Sequence, residues 1–461
     1  MVCDNAAAAI HVSQPVRSIL LDPFPVIQKV SLSMSRDAQA RRELSQFLRH
    51  AFASDPNVNQ VDALLEFVCG GDPPAWQTFT VSDEDAMFVK HLSVLDTETV
   101  TRSDHRYVRD RLRIRTIGHE HDAIARLHRT PESLLRAVNA IASLTIMPTR
   151  ATAIVVTVRN EGIALLEWLA HYRVLGFDAI FVYCNDNDDG SDDLLQLLAE
   201  HGVISLIRND LDASTPPQQK VYGHAVHLLR ELRDFEWVFF IDADEFLLLA
   251  PRFEHSIANY IRDAEAAAGS SLSAICVHWR WYGSGKAFER TEGLLMERFQ
   301  EPHNNRHVKT LCRLRDTISL HQVHVPTLVS GRLAVTSSFV PCVPEPELPV
   351  DYGGAQLNHY WNKSFQEFVL RLMRGDGRLR ADAREKDLAR FFVWGQAPRP
   401  SEPVAAAVLT KVRDEMGRLQ QLRGVAGALD RIEERFNEMV ADCDRQLGLR
   451  QLYETHMNPD L

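Results

Sequence analysis

The chain has 461 residues, enough for about two or three domains and a large buried core. It is 45% hydrophobic and 25% charged, as is usual for a globular protein, and its net charge of −11 argues against a nucleic-acid partner. Its seven cysteines are scattered without a C-x-x-C pair, which argues against a disulfide framework and a zinc ribbon. The start MVCDNAAAAIHVSQP does not resemble a signal peptide, and no apolar run approaches the roughly 20 residues that span a bilayer. We therefore expect a cytoplasmic protein.

Three regions follow one another along the chain. Residues 1–149 are predicted to be a mostly helical accessory region, from segments such as AQARRELSQFLRHAF and TPESLLRAVNAIASL. Residues 150–362 alternate between short β-branched runs and helical patterns, which predicts an α/β domain. Residues 363–461 contain the amphipathic segments LTKVRDEMGRLQQL and LDRIEERFNEMVADC, which predict a helical C-terminal region.

Four short apolar runs in the middle region are typical of buried parallel strands. They are TAIVVTV (152–158), AIFVYC (179–184), VISLI (203–207) and WVFFI (237–241). Segments with helical periodicity lie between them, and such alternation requires right-handed crossovers between parallel strands. The sequence thus predicts a mostly parallel sheet flanked by helices.

A polar cluster follows each of these four runs. The clusters are RNE (159–161), NDNDDG (185–190), RND (208–210) and DADE (242–245). Ligands of open α/β sheets bind outside the carboxyl ends of the strands. We therefore expect the four clusters to gather at one edge of the sheet and to form a binding site there.

The stretch YCNDNDDGSDD (183–193) can be aligned with the EF-hand calcium loop by placing Gly190 at the sixth position. The first and twelfth positions are then Asn185 and Gln196, so the leading carboxylate and the bidentate glutamate are missing. The loop also follows a predicted strand, where an EF-hand needs a helix. It is better interpreted as a strand-to-helix turn.

The DADEF segment is the strongest candidate for a metal site. Asp242 and Asp244 come directly after a predicted buried strand, and carboxylate oxygens are the ligands that Mg²⁺ and Mn²⁺ prefer. A partly hydrated ion there could bridge these acids and a diphosphate. A solvated acidic turn without any metal is the alternative.

Several motifs in a fixed order resemble a known family. VRNEG, EWLAHYRVLGFD, YCNDNDDGSDDLL and FEWVFFIDADEFL are followed by WRWYGSG and LNHYWNKSFQEFVLRLMRGDG. Together they resemble the family 2 glycosyltransferases with the GT-A fold, and among these the bacterial branch related to family 92. The resemblance covers about residues 150–377. It implies a GT-A-type α/β domain that moves a sugar from a nucleotide-sugar donor to a hydroxyl of a glycan or other acceptor, with inversion and with Mn²⁺ or Mg²⁺.

The resemblance also implies roles for individual residues. Contacts to the nucleotide-sugar are implied for Thr157, Arg159, Asn160, Glu161, Asp186, Asp189, Lys220 and Asp242. For Asp186 and Asp189 the resemblance implies that they hold the edge of the base or order their loop. The metal ligands implied are Asp242 and Asp244, together with a downstream histidine, His324 or His359.

The acceptor side is predicted from aromatic and acidic residues. Trp279, Trp281 and Tyr282 are candidate platforms for sugar rings, and Lys363 is assigned to the same site, where it can also assist the diphosphate. Inversion requires a general base, usually Asp or Glu. Among Glu289, Glu292 and Glu297 we choose Glu297, because it follows an apolar run.

Two other functions stay open at this point. A GT-A domain could bind a nucleotide-sugar or glycan without turnover. FFIDADEFLLL also has a superficial likeness to the strand of an aspartyl-nucleophile phosphatase, although Glu245 and Phe246 do not fit the usual pattern. The sequence leaves open the oligomeric state and any attachment to the inner face of the membrane.

Overall fold

The computed structural model describes residues 114–129, 148–212, 214–329, 331–374, 391–392 and 404–457. The helices predicted for AQARRELSQFLRHAF and TPESLLRAVNAIASL lie outside these ranges.

The strands of the described ranges are numbered in chain order. They are β1 (Ile114–Ile117), β2 (Arg150–Val158), β3 (Ala179–Cys184), β4 (Ser205–Asn209), β5 (Phe235–Asp242), β6 (Glu245–Leu249), β7 (Leu272–Tyr282), β8 (Pro302–Arg313), β9 (Thr317–Gln322), β10 (Val325–Leu328), β11 (Leu333–Thr336), β12 (Pro341–Cys342) and β13 (Ala355–His359).

The α-helices are numbered in the same way. They are α1 (Ile124–Leu127), α2 (Gly162–Leu175), α3 (Ser191–Glu200), α4 (Pro217–His227), α5 (Ile257–Ala268), α6 (Leu295–Arg298), α7 (Phe365–Arg374), α8 (Ala406–Gln420), α9 (Val425–Leu447) and α10 (Leu449–Met457). Short 3-10 turns lie at His119–His121, Arg230–Asp234, Pro251–Phe253 and Leu314–Asp316.

One large sheet organises the described residues, with the strand order β1-β4-β3-β2-β5-β8-β7-β11-β12. The first five strands of this order are mutually parallel, whereas β8 runs antiparallel to both β5 and β7. Strand β13 pairs with β6 and β7 beside this path. The predicted α/β class with a mostly parallel sheet flanked by helices, as expected for a GT-A-type fold, is confirmed.

The parallel strands are apolar because both of their faces are covered. Ile154 and Val156 of β2 pack in a core with α2, whereas Val155 of the same strand packs in a second core with Val221 of α4. Alternate residues of one strand thus point to opposite layers. This explains why these strands are continuous hydrophobic runs without alternating polar residues.

The C-terminal helices belong to the first of these two cores. Val412 and Leu419 of α8 and Val425 and Ile432 of α9 are in the same buried cluster as Leu165 of α2. Helix α8 is also tied to α2 by an ion pair of 2.5 Å between Glu415 and Arg173. The C-terminal region therefore covers the outer side of α2.

Strand β1 extends the sheet beyond β4. Ile114–Ile117 pair in parallel with Leu206–Asn209, so a piece of the N-terminal region that the sequence assigns to residues 1–149 contributes the edge strand. The division at residue 149 stays a prediction. Nowhere in the described ranges does a helix combine the length and apolar character needed to cross a membrane.

Candidate active site

The ends of the parallel strands are joined by side-chain hydrogen bonds. The side-chain Nδ2 of Asn185 donates to Thr157 Oγ1 over 2.7 Å, and the side-chain Nδ2 of Asn209 donates to Asn185 Oδ1 over 2.6 Å. Thr157 is also the register partner of Asp242 on β5. The predicted gathering of the polar clusters at one sheet edge is thus confirmed.

The 185–190 turn uses one of its acids to hold helix α2. Asp189 Oδ2 accepts the amide of Gly162, the first residue of α2, over 2.7 Å. Its Oδ1 accepts the amide of Ser191 over 3.0 Å and the hydroxyl of the same residue over 2.5 Å. Gly190 has φ +85°, which favours glycine, and leads directly into α3. Of the two predicted roles for Asp189, ordering the loop is the one that these contacts support.

The same turn is hydrogen-bonded to the residues that follow β2. The backbone amide of Asn160 donates to Asn187 Oδ1 over 2.7 Å, and the backbone amide of Asp188 donates to Asn160 Oδ1 over 2.9 Å. Asn160 and Asp186 have φ angles of 51° and 42°, a region that asparagine and aspartate tolerate better than most residues. The two loops therefore form one hydrogen-bonded unit at the sheet edge.

Asp242 is the last residue of β5 and forms an ion pair with a buried lysine. Its Oδ2 lies 3.0 Å from Lys309 Nζ of β8, and its Oδ1 accepts the Gln218 side chain of α4 over 2.6 Å. Burial of Lys309 disfavours its charge, but Asp242 and Glu245 outweigh burial and raise the pKa of the lysine. Burial likewise raises the pKa of Glu245 well above its usual value, against the attraction of Lys309.

Asp244 lies in the turn between β5 and β6 and has two partners from later in the chain. Its Oδ2 accepts Arg371 Nη1 over 2.6 Å, and its Oδ1 lies 3.4 Å from His359 Nε2. The histidine arrives there because β13 pairs antiparallel with β6, with His359 opposite Glu245. Burial opposes the charge of Asp244, but His359 and Arg371 outweigh it and hold the pKa of this carboxyl well below its usual range.

Glu161 forms a third acidic point at the same edge, just before α2. Its carboxylate pairs with Lys363 over 2.7 Å and with Arg374 of α7. Burial would raise the pKa of Glu161, but Arg374 and Lys363 outweigh burial and lower it. The edge is thus an alternating network of acids and cations, and α7 supplies two of the cations.

The donor set around Asp244 suits a divalent ion in part. A carboxylate and an imidazole are both suitable ligands of Mn²⁺, and the His359 nitrogen that faces Asp244 is Nε2. The other ring nitrogen, Nδ1, is buried without a hydrogen-bond partner among the described residues. No group of three or more His, Cys, Asp or Glu side chains arranged to hold a metal occurs in the described ranges. These residues therefore fit an ion that also takes ligands from a diphosphate and water, but they do not form a complete metal site by themselves.

A pocket opens beside this network, between the start of α2, helix α7 and helix α9. Its polar wall includes Glu161 and its partners Lys363 and Arg374 together with Arg371, but not Asp242 or Asp244. Its apolar wall comes mainly from α7 and α9. The lining residues are Asn160, Glu161, Ile163, Ala164, Asp189, Trp361, Lys363, Glu367, Leu370, Arg371, Arg374, Ile432, Phe436 and Met439.

Two residues predicted for this site make other contacts. Lys220 is fully buried on α4, and its ammonium contacts Asp122 over 2.7 Å and the carbonyls of Gly118 and Asp210. It therefore ties the segment after β1 to α4. The ring of His324 is hydrogen-bonded to the carbonyl of Val308 over 3.0 Å, so of the two candidate histidines the structure brings His359 to Asp244.

The predicted acceptor aromatics are close to the network but are mostly packed. Trp279 is 7% exposed and lies 4.5 Å from the ring of His359, centroid to centroid. Tyr282 is 5% exposed and packs on Tyr360. Trp281 is half-buried and stacks on Trp361, a pocket residue, at 6.2 Å. Their role as sugar platforms stays a prediction, and Trp281 is the best placed of the three.

Glu297 lies on α6, and its carboxylate pairs with Arg413 of α8 and accepts the amide of Leu294. Among its described hydrogen bonds, none reaches Asp242 or Asp244. Its role as the general base stays a prediction.

The sequence interpretation did not include three cations of the network, namely Lys309, Arg371 and Arg374. Arg371 and Arg374 are three residues apart in FVLRLMRG, a spacing that places them on one face of a helix. Lys309 lies between Val308 and Thr310 in the buried part of its strand, and a buried strand lysine needs an acidic partner. Both patterns indicate anion partners, but neither says which ones.

Solved structures of TarS from S. aureus have a limited similarity to this chain. A crystal structure of TarS 1–349 is 13% identical with a TM-score of 0.25, and the match covers 64% of this chain and 91% of that one. The same segment in complex with UDP is 10% identical with a TM-score of 0.24 and has the same coverage. Similarity at this level adds nothing to the fold described above.

Sequence comparison gives the more specific result. Residues 159–384, just under half of the chain, match the family model of glycosyltransferase family 92. A glycosyltransferase family 92 protein from Oryza sativa subsp. japonica is 31% identical over 91 residues, which are 19% of this chain and 15% of the rice protein. The matched part thus spans less than a sixth of this relative's length. Both matches name glycosyltransferase family 92 as the family that this part of the chain resembles.

Proposed function

We propose that this chain transfers a sugar from a nucleotide-sugar donor to a hydroxyl of a glycan or other acceptor. One observation carries the proposal: the acids and cations at the sheet edge all lie inside the segment that matches glycosyltransferase family 92. The segment runs from residue 159 to residue 384 and includes Glu161, Asp244, His359 and Arg371. The family match and the site geometry therefore point to the same place.

The cations of the network suit a diphosphate leaving group. Lys363, Arg371 and Arg374 all line the pocket, and each is held there by an acid of the sheet edge. Guanidinium groups bind phosphate oxygens through paired hydrogen bonds, and fixed positive charge stabilises the negative charge that develops on a departing diphosphate. Asp244 and His359 would hold a Mn²⁺ or Mg²⁺ ion, which when bound would supply further positive charge to the same oxygens.

The finer parts of the proposal come from the sequence. They are inversion at the anomeric carbon, Glu297 as the base, a role in glycan or cell-surface polysaccharide synthesis, and a cytoplasmic location that includes the inner face of the membrane. Placement in a bacterial branch of family 2 is a prediction of the same kind.

The direct test is a panel of nucleotide-sugars incubated with the purified protein and Mn²⁺. Binding is measured by calorimetry, and turnover is measured as release of the nucleoside diphosphate. We expect one donor to bind and to be hydrolysed slowly without an acceptor. A folded protein that binds none of the donors would contradict the proposal.

A second candidate function is binding of the donor without turnover. The observation in its favour is that both motif carboxylates already have protein cations, Lys309 at Asp242 and Arg371 at Asp244. Donor binding in the panel without any release of nucleoside diphosphate, with or without acceptor glycans, would select this function. Hydrolysis of simple phosphate monoesters, abolished by Asp242→Asn, would instead indicate phosphatase chemistry.

A further inference from the structure

Arg371 lies at a boundary between the predicted metal ligands and the pocket. One nitrogen, Nη1, donates to Asp244 Oδ2 over 2.6 Å and to the carbonyl of Trp361 over 3.1 Å, while its guanidinium lies over the Trp361 ring at 4.9 Å. Its side chain is 23% exposed, whereas that of Asp244 is 4% exposed. The arginine is therefore the partner of Asp244 that faces the open space.

The position of Arg371 conflicts with a divalent ion at the same carboxylate. An ion bound between Asp244 and His359 would lie within a few ångströms of the guanidinium, and like charges at that distance repel strongly in a partly buried site. The arginine could relieve this repulsion by turning toward the pocket that it lines. Leaving Asp244 without the arginine requires another cation in its place, because an unpaired buried carboxylate is costly.

We propose that Arg371 is a displaceable counter-ion of Asp244, which opposes divalent-cation binding in the ligand-free protein and moves to the phosphate oxygens when the cation enters together with a diphosphate. This inference rests on the proposed function for its ligand. It adds that metal and diphosphate bind cooperatively, because each removes the obstacle to the other: the cation replaces the arginine at Asp244, and the diphosphate gives the released arginine a new partner.

The test measures two affinities in the full-length protein and its variants. Mn²⁺ binding alone is followed by the electron paramagnetic resonance signal of the free ion, and binding of the Mn²⁺–pyrophosphate complex is followed by calorimetry. In Arg371→Gln we expect Mn²⁺ alone to bind about tenfold more tightly and the pyrophosphate complex to bind about tenfold more weakly. Effects in opposite directions are the signature, since damage to the site would weaken both.

Two further variants control the interpretation. Arg374→Gln removes a cation from the same helix that pairs with Glu161, so its gain in Mn²⁺ affinity should stay below about threefold. Arg371→Lys keeps the charge, so its affinity for Mn²⁺ alone should stay close to that of the wild type. If Arg371→Gln folds poorly, a clearly tighter binding of Mn²⁺ to Arg371→Lys would still contradict the inference. Adding Asp244→Asn to Arg371→Gln should abolish the gain.

Unchanged or weaker Mn²⁺ binding in folded Arg371→Gln would overturn the inference, and so would tighter binding of the pyrophosphate complex. Neither ligand contains a base or a sugar, so these outcomes are distinct from a failure of the nucleotide-sugar panel, which would count against the proposed function instead.

Discussion

Arg298 and Glu367 form an ion pair at 2.5 Å, and both side chains are almost fully buried. The pair joins α6 to α7, the helix that carries two cations of the candidate site. Ser364 also donates its amide and its hydroxyl to Glu367 over 3.1 and 2.7 Å. Burial opposes the charge of Glu367, but Arg298 outweighs burial and lowers the pKa of this carboxyl.

We therefore expect Arg298→Met to destabilise the protein by about 3–5 kcal/mol, because it leaves Glu367 as an unpaired buried charge. Urea unfolding followed by circular dichroism measures the loss. Arg445→Met is the matched control: its ion pair with Asp442 is exposed, and its removal should cost less than about 1 kcal/mol. Equal losses in the two variants would show that the buried ion pair contributes no more to the free energy of unfolding than the exposed one.

Gly162 has no room for a side chain. A Cβ atom there would lie 2.9 Å from Asp189 Oδ2 and 3.0 Å from Ile432 Cγ2. Gly162→Ala should therefore push α9 and the 185–190 turn apart and lower the free energy of unfolding by about 1–3 kcal/mol. In Gly417→Ala, on α8, the new methyl meets no described atom within 4 Å, so that variant should gain up to about 1 kcal/mol in urea unfolding. A neutral Gly162→Ala would contradict the tight packing.

Glu167 predicts a pH dependence of stability. Burial raises the pKa of this carboxyl to about 7, although it accepts the amide of Leu295. Between about pH 4.5 and pH 7 the folded protein keeps a proton that the unfolded chain loses, so stability falls as the pH rises through this window, by about 3 kcal/mol in total.

In Glu167→Gln this contribution should disappear, and the free energy of unfolding should vary less between pH 5 and pH 8 than in the wild type. Thermal or urea unfolding across that range tests the expectation. Glu200→Gln, on the exposed side of α3, should leave the wild-type slope unchanged. An identical slope in Glu167→Gln would rule out this carboxyl as the source.

Asp244→Asn tests the centre of the candidate site. It keeps the size of the side chain but removes the charge that Arg371 and His359 share, so we expect donor turnover to fall by about 10²–10³-fold. Asp263→Asn, at an exposed pair on α5, should have wild-type turnover. The readout is nucleoside diphosphate release at saturating donor, with the melting temperature as a check on folding.

The sequence predicted the parallel strands and the gathering of polar clusters at their ends, because both follow from local patterns combined with the geometry of crossover connections. It did not predict the partners of the two motif aspartates. Lys309 lies 67 residues from Asp242, and Arg371 lies 127 residues from Asp244. Such pairs depend on how the antiparallel half of the sheet and α7 return to the edge, and no local pattern specifies that path.

The same distinction applies to the apolar wall of the pocket. Ile432, Phe436 and Met439 repeat at helical spacing and read as ordinary core positions of an amphipathic helix. Only the packing of α9 beside α2 reveals that they also border the site.

The C-terminal helices have a consequence for where this domain ends. The family match stops at residue 384, yet Val412, Leu419 and Ile432 complete the core around α2. A gene fragment that ended where the match ends would leave the outer side of α2 bare and remove part of the pocket wall. In this chain the segment that matches the family model is shorter than the segment that shares one hydrophobic core.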